Sequence, residues 1–187
     1  KMFLFFISSV LCLVAGHAGN NTDFTLTRGA AISVECREDA KIVHTAMSIL
    51  KNDMQNVFSS EVDICDGADA DIVVAVLNAG MPTDYLGIDL SPLKGRRQAF
   101  VVAVGDEGKL VVVGSDQYGT AYGLMEVSRL IGVSPWVWWA DSHSEKKESF
   151  SLASDFYTFQ YPSVEYRGIF INDEDWGLYR WAKENFE

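Results

Sequence analysis

The order of the periodic segments is the strongest constraint on what this chain folds into. Residues 30–34 read as a short strand. Residues 39–58 carry Ile42, Val43, Ala46, Met47, Ile49, Leu50, Met54 and Val57 on one face at helical period. Residues 71–77 form a continuous apolar strand, entered from the turn-rich Asp66-Gly67-Ala68-Asp69. Residues 79–97, rich in Gly, Pro and Asp, predict a long loop. Residues 100–104 and 109–113 flank Gly105-Asp106-Glu107-Gly108, which is a β-hairpin signal. A second helix over 119–131 is expected to bury Tyr122, Leu124, Met125, Val127, Leu130 and Ile131, and Gly132 stops it. A charged loop (141–149) and a mixed connector (150–161) follow. This order predicts an α+β fold, with a small mixed or antiparallel sheet covered by two helices on one face. The hairpin makes at least part of that sheet antiparallel.

The two ends of the chain differ from this middle. At the start, Lys1, an apolar run over 3–14, and the small residues Gly16 and Ala18 match a secretory signal peptide over 1–18. The run is too short to span a bilayer comfortably, so no membrane anchor is expected. The signal predicts a secreted or periplasmic protein. Asn20-Asn21-Thr22 is a glycosylation acceptor in a eukaryotic host. At the other end, residues 164–171 read as a strand that runs into Asn172-Asp173-Glu174-Asp175, and 176–186 has a helical pattern. A strand ending in carboxylates and followed by a helix looks like the first unit of a (β/α) barrel. A lone unit of that kind cannot close a core. The expected division is therefore a signal peptide (1–18), an N-terminal α+β domain (19–162) and the start of a truncated (β/α)8 barrel (163–187), the front of a longer protein.

The charge balance limits the partners. The chain has 15 Lys+Arg against 26 Asp+Glu, a net charge of −11, and no basic block. That argues against nucleic acid, whose phosphates need clustered positive charge, and against anionic lipid. Three His leave little material for a metal cage, and no cofactor or metal is expected. Cys36 and Cys65 allow two readings: a disulfide in an oxidising compartment, or two small buried side chains.

Four groups of residues invite a chemical reading. Residues 114–120, Gly-Ser-Asp-Gln-Tyr-Gly-Thr, follow a strand and open a helix, but Thr120 stands where a phosphate loop needs Lys, so a turn-and-cap role is preferred. Asp66, Asp69 and Asp71 do not match a calcium loop and read as solvated turn carboxylates. Trp136, Trp138 and Trp139 are either a sugar-stacking platform or an interdomain wedge, the wedge being preferred. The strongest site is Asn172-Asp173-Glu174-Asp175, because three adjacent carboxylates repel one another unless solvent, a ligand or a cation compensates. Arg167 shares strand parity with Ile169, Ile171 and Asp173, which would aim its guanidinium at the barrel interior. There it could fork two donors to a carboxylate or to vicinal hydroxyls. The plainer alternative for Arg167 is a salt bridge to Glu165 or a neighbouring strand.

Gly114-Ser115-Asp116, Tyr118-Gly119-Thr120, Tyr122-Gly123 and residues 131–141 (IGVSPWVWWAD) together resemble the N-terminal domain of glycoside hydrolase family 115. Residues 166–176 (YRGIFINDEDW) resemble the first barrel strand of the same family. The resemblance implies a xylan α-1,2-glucuronidase acting on glucuronoxylan or xylo-oligosaccharides, with inversion at the anomeric carbon. It implies a general acid and a general base ~6.5–9.5 Å apart. Arg167, Asn172, Asp173 and Glu174 are the substrate-binding candidates. The acid/base pair is expected beyond Glu187, with Glu174 the one catalytic candidate inside the chain. The chain alone is expected to be inactive, and homo-oligomerisation is left open. A β-N-acetylhexosaminidase-like enzyme and a non-catalytic carbohydrate-binding module are the competing readings.

Overall fold

The computed structural model describes residues 22–36, 38–65, 70–137, 142–168, 170 and 178–186. The signal segment, Asn20, Asp66, Asp69, Trp138, Trp139, Asn172, Asp173 and Glu174 lie outside the described residues.

A six-stranded sheet forms the centre. Its strands are β2 (Ile32–Cys36), β3 (Val62–Cys65), β4 (Ile72–Val76), β7 (Phe100–Val104), β8 (Leu110–Gly114) and β10 (Tyr157–Gln160), in the order β10-β7-β8-β4-β2-β3. Strands β3, β2, β4 and β8 pair in parallel, and β7 is antiparallel to both its neighbours. The expected hairpin is β7–β8. Most of the other pairings are parallel, as a strand–helix–strand order allows when a helix carries the chain back. A separate two-stranded ladder joins β1 (Phe24–Thr27) to β9 (Ser149–Leu152).

Both expected helices are present. In α1 (Lys41–Phe58), Val43, Ala46, Met47, Leu50, Met54, Val57 and Phe58 are buried, a stripe at three- and four-residue spacing. The second, α2 (Gln117–Leu130), packs beside α1 on the same face of the sheet. It closes at Gly132 (φ 102°). The Val133 amide donates to the Ser128 carbonyl and the Gly132 amide to the Arg129 carbonyl, each at 3.0 Å, which is the Schellman arrangement. The expectation that Tyr122 is buried is corrected, since it is 40% exposed. Gly119, Thr120 and Gly123 are the residues that meet the sheet, and their small side chains let the helix approach closely while Tyr122 turns outward.

The second sheet face has a cover that helix counting does not reveal. Along β7 and β8, Phe100, Val102, Leu110 and Val112 face the helices, whereas Val101, Ala103, Val111 and Val113 face the other way. The predicted long loop lies against this second face and supplies Ile88, Leu90 and Leu93, the two leucines fully buried. It contains a minimal hairpin, β5 (Asp84–Tyr85) and β6 (Ile88–Asp89), turned by Leu86 (φ 51°) and Gly87 (φ 75°). Each fully buried leucine contributes about 1.5–3 kcal/mol.

Asp71 is exposed, as the solvated-turn reading expects, and its carboxylate also accepts from the Ser33 amide and the Ser33 hydroxyl, both at 2.7 Å, which ties β2 to the entry of β4. Cys36 and Cys65 are unpaired. Cys65 stands opposite Glu35, so Cys36, one step further on, projects from the other face of the sheet. Residues 161–168 form no strand. A strand needs a hydrogen-bonding neighbour, and among the described residues none runs beside them. The helical pattern after them is real: α3 spans Leu178–Phe186.

Candidate functional site

Residues 114–120, Tyr122 and Arg167 come together at one edge of the sheet, where β7, β10 and the start of α2 meet. Asp116 caps α2. One carboxylate oxygen accepts from the Gly119 amide at 2.8 Å, and the other accepts from the Gln98 amide at 2.7 Å. The Ser115 hydroxyl accepts from the Ala99 amide at 3.0 Å, and the Thr120 hydroxyl donates to the Ala75 carbonyl at 2.9 Å. A Cβ on Gly119 would lie 2.1 Å from the Ala99 carbonyl oxygen, and one on Gly114 would lie 2.0 Å from the Thr120 amide nitrogen. The Gly-Ser-Asp…Gly-Thr motif is therefore a clamp between α2 and the entry to β7. Its polar groups are engaged within the protein, as the turn-and-cap reading expects.

That clamp sets the position of Arg167. Gln98 adopts a left-handed conformation (φ 57°), rarely used by residues with a Cβ. Its amide is held by Asp116, and its side-chain oxygen accepts from the Arg167 guanidinium at 2.6 Å. Arg167 also donates to the Val164 carbonyl at 2.9 Å, and its guanidinium carbon lies 5.8 Å from the Tyr122 ring centre. The alternative salt bridge with Glu165 does not form. Glu165 pairs with Arg97 at 3.1 Å instead. Arg167 thus anchors the connector to the α+β domain, and Ile169, Ile171 and Asp173, on which the parity argument rests, lie outside the described residues. The other three candidates, Asn172, Asp173 and Glu174, lie outside the described residues.

Three concavities run along this edge. A groove of about 420 Å³ lies between residues 95–98 and 161–165. A smaller one of about 280 Å³ shares Gln98, Tyr161 and Pro162 with it and reaches Tyr122, Gln160 and Arg167. A largely apolar cleft of about 450 Å³ continues past Phe100 and Tyr122 to Ile49, Met125, Val133 and Val137. Two polar groups in this cleft were not singled out from the sequence. Glu126, 8% exposed, holds Arg129 through two hydrogen bonds of 2.7 and 2.6 Å. Asp53 has its carboxyl pushed up by burial, with the Ser128 hydroxyl acting in the opposite sense. That hydroxyl is buried and makes no hydrogen bond of normal geometry. Both acids lie on helix faces that read as ordinary polar surface, so no sequence signal marked them.

Large apolar side chains are exposed beside these concavities and on the connector. Trp136 is 64% exposed, Tyr166 88% and Phe170 91%. Exposed apolar area of this kind marks an interaction surface, and it suits the sugar-platform and wedge readings of Trp136 alike.

Comparison with known proteins gives concordant matches. A family model described as glycosyl hydrolase family 115 matches residues 160–187. A solved family GH115 4-O-methyl-α-glucuronidase, BtGH115A, with specificity for decorated arabinogalactans, is 48% identical over 88% of this chain, with a TM-score of 0.79. This chain spans 22% of that enzyme's length. The solved CpGH84D is 12% identical, over 73% of this chain and 21% of its own, with a TM-score of 0.51, a likeness of fold alone. An N-acetyl-β-hexosaminidase of Streptomyces plicatus is 12% identical over 78% of this chain and 24% of its own, at a TM-score of 0.49. No curated protein matches the chain at a significant level.

Proposed function

We infer, because this chain belongs to glycoside hydrolase family 115, that it supplies the N-terminal α+β domain of an α-glucuronidase together with the entry into a catalytic (β/α)8 barrel. The enzyme removes glucuronic acid, or its 4-O-methyl ether, from glucuronoxylan or another decorated polysaccharide. The observation that carries this reading is the high identity with a solved glucuronidase, spread over nearly the whole chain. The signal pattern over 1–18 supports export to the periplasm or the extracellular space.

The chemistry assigned to such an enzyme is displacement with inversion. One carboxylic acid protonates the leaving oxygen, and a carboxylate across the ring activates water, the two ~6.5–9.5 Å apart. Two carboxylates of the motif edge are already engaged within the protein. Glu126 is committed to Arg129, and Asp116 to Gly119 and Gln98. The reacting groups are therefore assigned to the barrel, with Asn172, Asp173 and Glu174 at its first strand end as ligands for sugar hydroxyls. Arg167 serves this arrangement by position: it fixes the connector on the Asp116–Gln98 clamp and so sets where the barrel begins.

The test is release of uronic acid from glucuronoxylan and from arabinogalactan by the full-length enzyme that carries this chain. Anomeric configuration of the product is followed by proton NMR. The expected result is initial release of the inverted anomer, with no release by the 187-residue chain alone. Release of hexosamine from chitooligosaccharides without release of uronic acid would overturn the reading. So would uronic acid release by the short chain.

A further inference from the structure

The Arg96 side chain stands apart from the other cations of this edge. Arg97 is paired with Glu165 at 3.1 Å, and Arg167 is held by Gln98 and the Val164 carbonyl. Arg96 has no carboxylate partner among the described residues, although the chain carries 26 acidic residues. Its guanidinium carbon lies 4.0 Å from the centre of the Tyr161 ring and 5.6 Å from that of Phe159. The two rings stack at 5.5 Å. A guanidinium over an aromatic face gains cation–π attraction and keeps its in-plane N–H donors free for a planar, two-oxygen acceptor. A carboxylate matches that fork with two parallel hydrogen bonds.

The surroundings define what carries the carboxylate. The groove that Arg96 lines, about 420 Å³, falls within the range of small-molecule sites. Its acidic member, Glu165, is already compensated by Arg97. Ser163 supplies a hydroxyl and Gln98 the nitrogen of its side-chain amide, the oxygen being held by Arg167, while the Tyr161 ring carries Arg96. These groups suit the hydroxyls of a pyranose better than a bare inorganic anion. The adjoining concavity, sharing Gln98, Tyr161 and Pro162, leaves room for a neighbouring sugar unit.

We propose that the groove between residues 95–98 and 161–165 binds a carboxylated saccharide, with Arg96, held over the Tyr161 ring, as the carboxylate-holding residue. The preference for a uronate over a neutral sugar rests on Arg96. The choice of glucuronate as the uronate rests on the glucuronidase reading. With a net charge of −11, long-range attraction does not bring an anion to the chain, so the affinity comes from the local fork.

The probes are xylotriose bearing one glucuronic acid, a galacturonic acid trisaccharide, neutral xylotriose and inorganic phosphate. Each is titrated into the 187-residue chain by calorimetry. The expected result is that the glucuronate-bearing probe binds at least tenfold more tightly than xylotriose. Arg96→Gln should abolish that preference, and Arg96→Lys should restore only a small part of it, because an ammonium lacks the fork. Arg96 is exposed, so both variants should keep the parent's urea midpoint. Equal binding of the charged and neutral probes would overturn the proposal, as would an Arg96→Gln variant that binds like the parent. Displacement of the saccharide by phosphate at the same concentration would also overturn it, by making the groove a general anion site. Failure of the glucuronidase reading has a separate signature: the galacturonate probe binds as well as the glucuronate probe, and the full-length enzyme releases no glucuronic acid.

Discussion

Two glycines of this fold have opposite reasons for being glycine. Gly119 lies inside α2, where alanine is ordinarily favoured by about 1 kcal/mol. Here a Cβ would sit 2.1 Å from the Ala99 carbonyl oxygen, so the clash decides the sign. Gly119→Ala should destabilise by about 3 kcal/mol in urea unfolding. Gly95 has open space around it but a φ of 70°. Gly95→Ala should cost roughly 1–2 kcal/mol, the cost of the left-handed conformation alone. Equal losses at the two sites would show that α2 is not pressed against the start of β7. Asp53 makes a prediction about pH. Burial raises its carboxyl in the folded state, so the folded chain holds the proton more firmly than the unfolded chain. Stability contributed by the neutral acid is present below the ordinary aspartate value, about 3.9, and is lost as pH rises through that value toward the raised one. Asp53→Asn should therefore be more stable than the parent at pH 7 and gain nothing at pH 3. Thermal unfolding at the two pH values decides it, and a gain that persists at pH 3 would remove burial as the cause.

Secondary structure was legible where its signal is local. The apolar stripe of α1 and the paired runs of β7 and β8 repeat within one helical turn or one strand, and both fall where the sequence places them. Strands β1 and β9 left no comparable mark. Each has four residues, Phe-Thr-Leu-Thr and Ser-Phe-Ser-Leu, and each is stabilised by the other across more than a hundred positions. Strand β3 is as short, with two of its four residues exposed. The cover of the second sheet face was hidden for another reason: Ile88, Leu90 and Leu93 follow no period, because a two-residue strand and a short 3-10 segment carry them. At the candidate site, the fate of Arg167 depends on the left-handed Gln98, which no spacing rule announces. This layer supplies a direct test. Leu90→Ala and Leu93→Ala, both in what reads as a loop, should each destabilise by about 3 kcal/mol, as much as Leu50→Ala in α1. Losses below 1 kcal/mol in urea unfolding would mean that the segment is not part of the core.

As a molecule, the chain combines a well-filled centre with an unfinished exterior. Tyr166 at 88% and Phe170 at 91% exposure contribute nothing to the core around the sheet, yet they present large apolar area on a connector that already holds to the domain through Arg167. The short chain should therefore bind a hydrophobic dye and associate at high concentration. The double change Tyr166→Ser and Phe170→Ser should suppress both without moving the unfolding midpoint. A shifted midpoint would place these side chains in the fold itself. Unchanged dye binding would assign the exposed surface to Trp136 and the apolar cleft instead.

The β1–β9 ladder also has a consequence in time. The Thr25 and Ser151 hydroxyls that meet at 2.9 Å are 126 positions apart in the chain. At synthesis rates of ~5–20 residues per second, the first strand waits roughly 6–25 s for its partner to leave the ribosome. Throughout that interval, Phe24 and Leu26, later almost fully buried, have only solvent or a chaperone to cover them. The first strand among the described residues is thus among the last to be paired, and during synthesis the risk of misfolding falls most heavily on it.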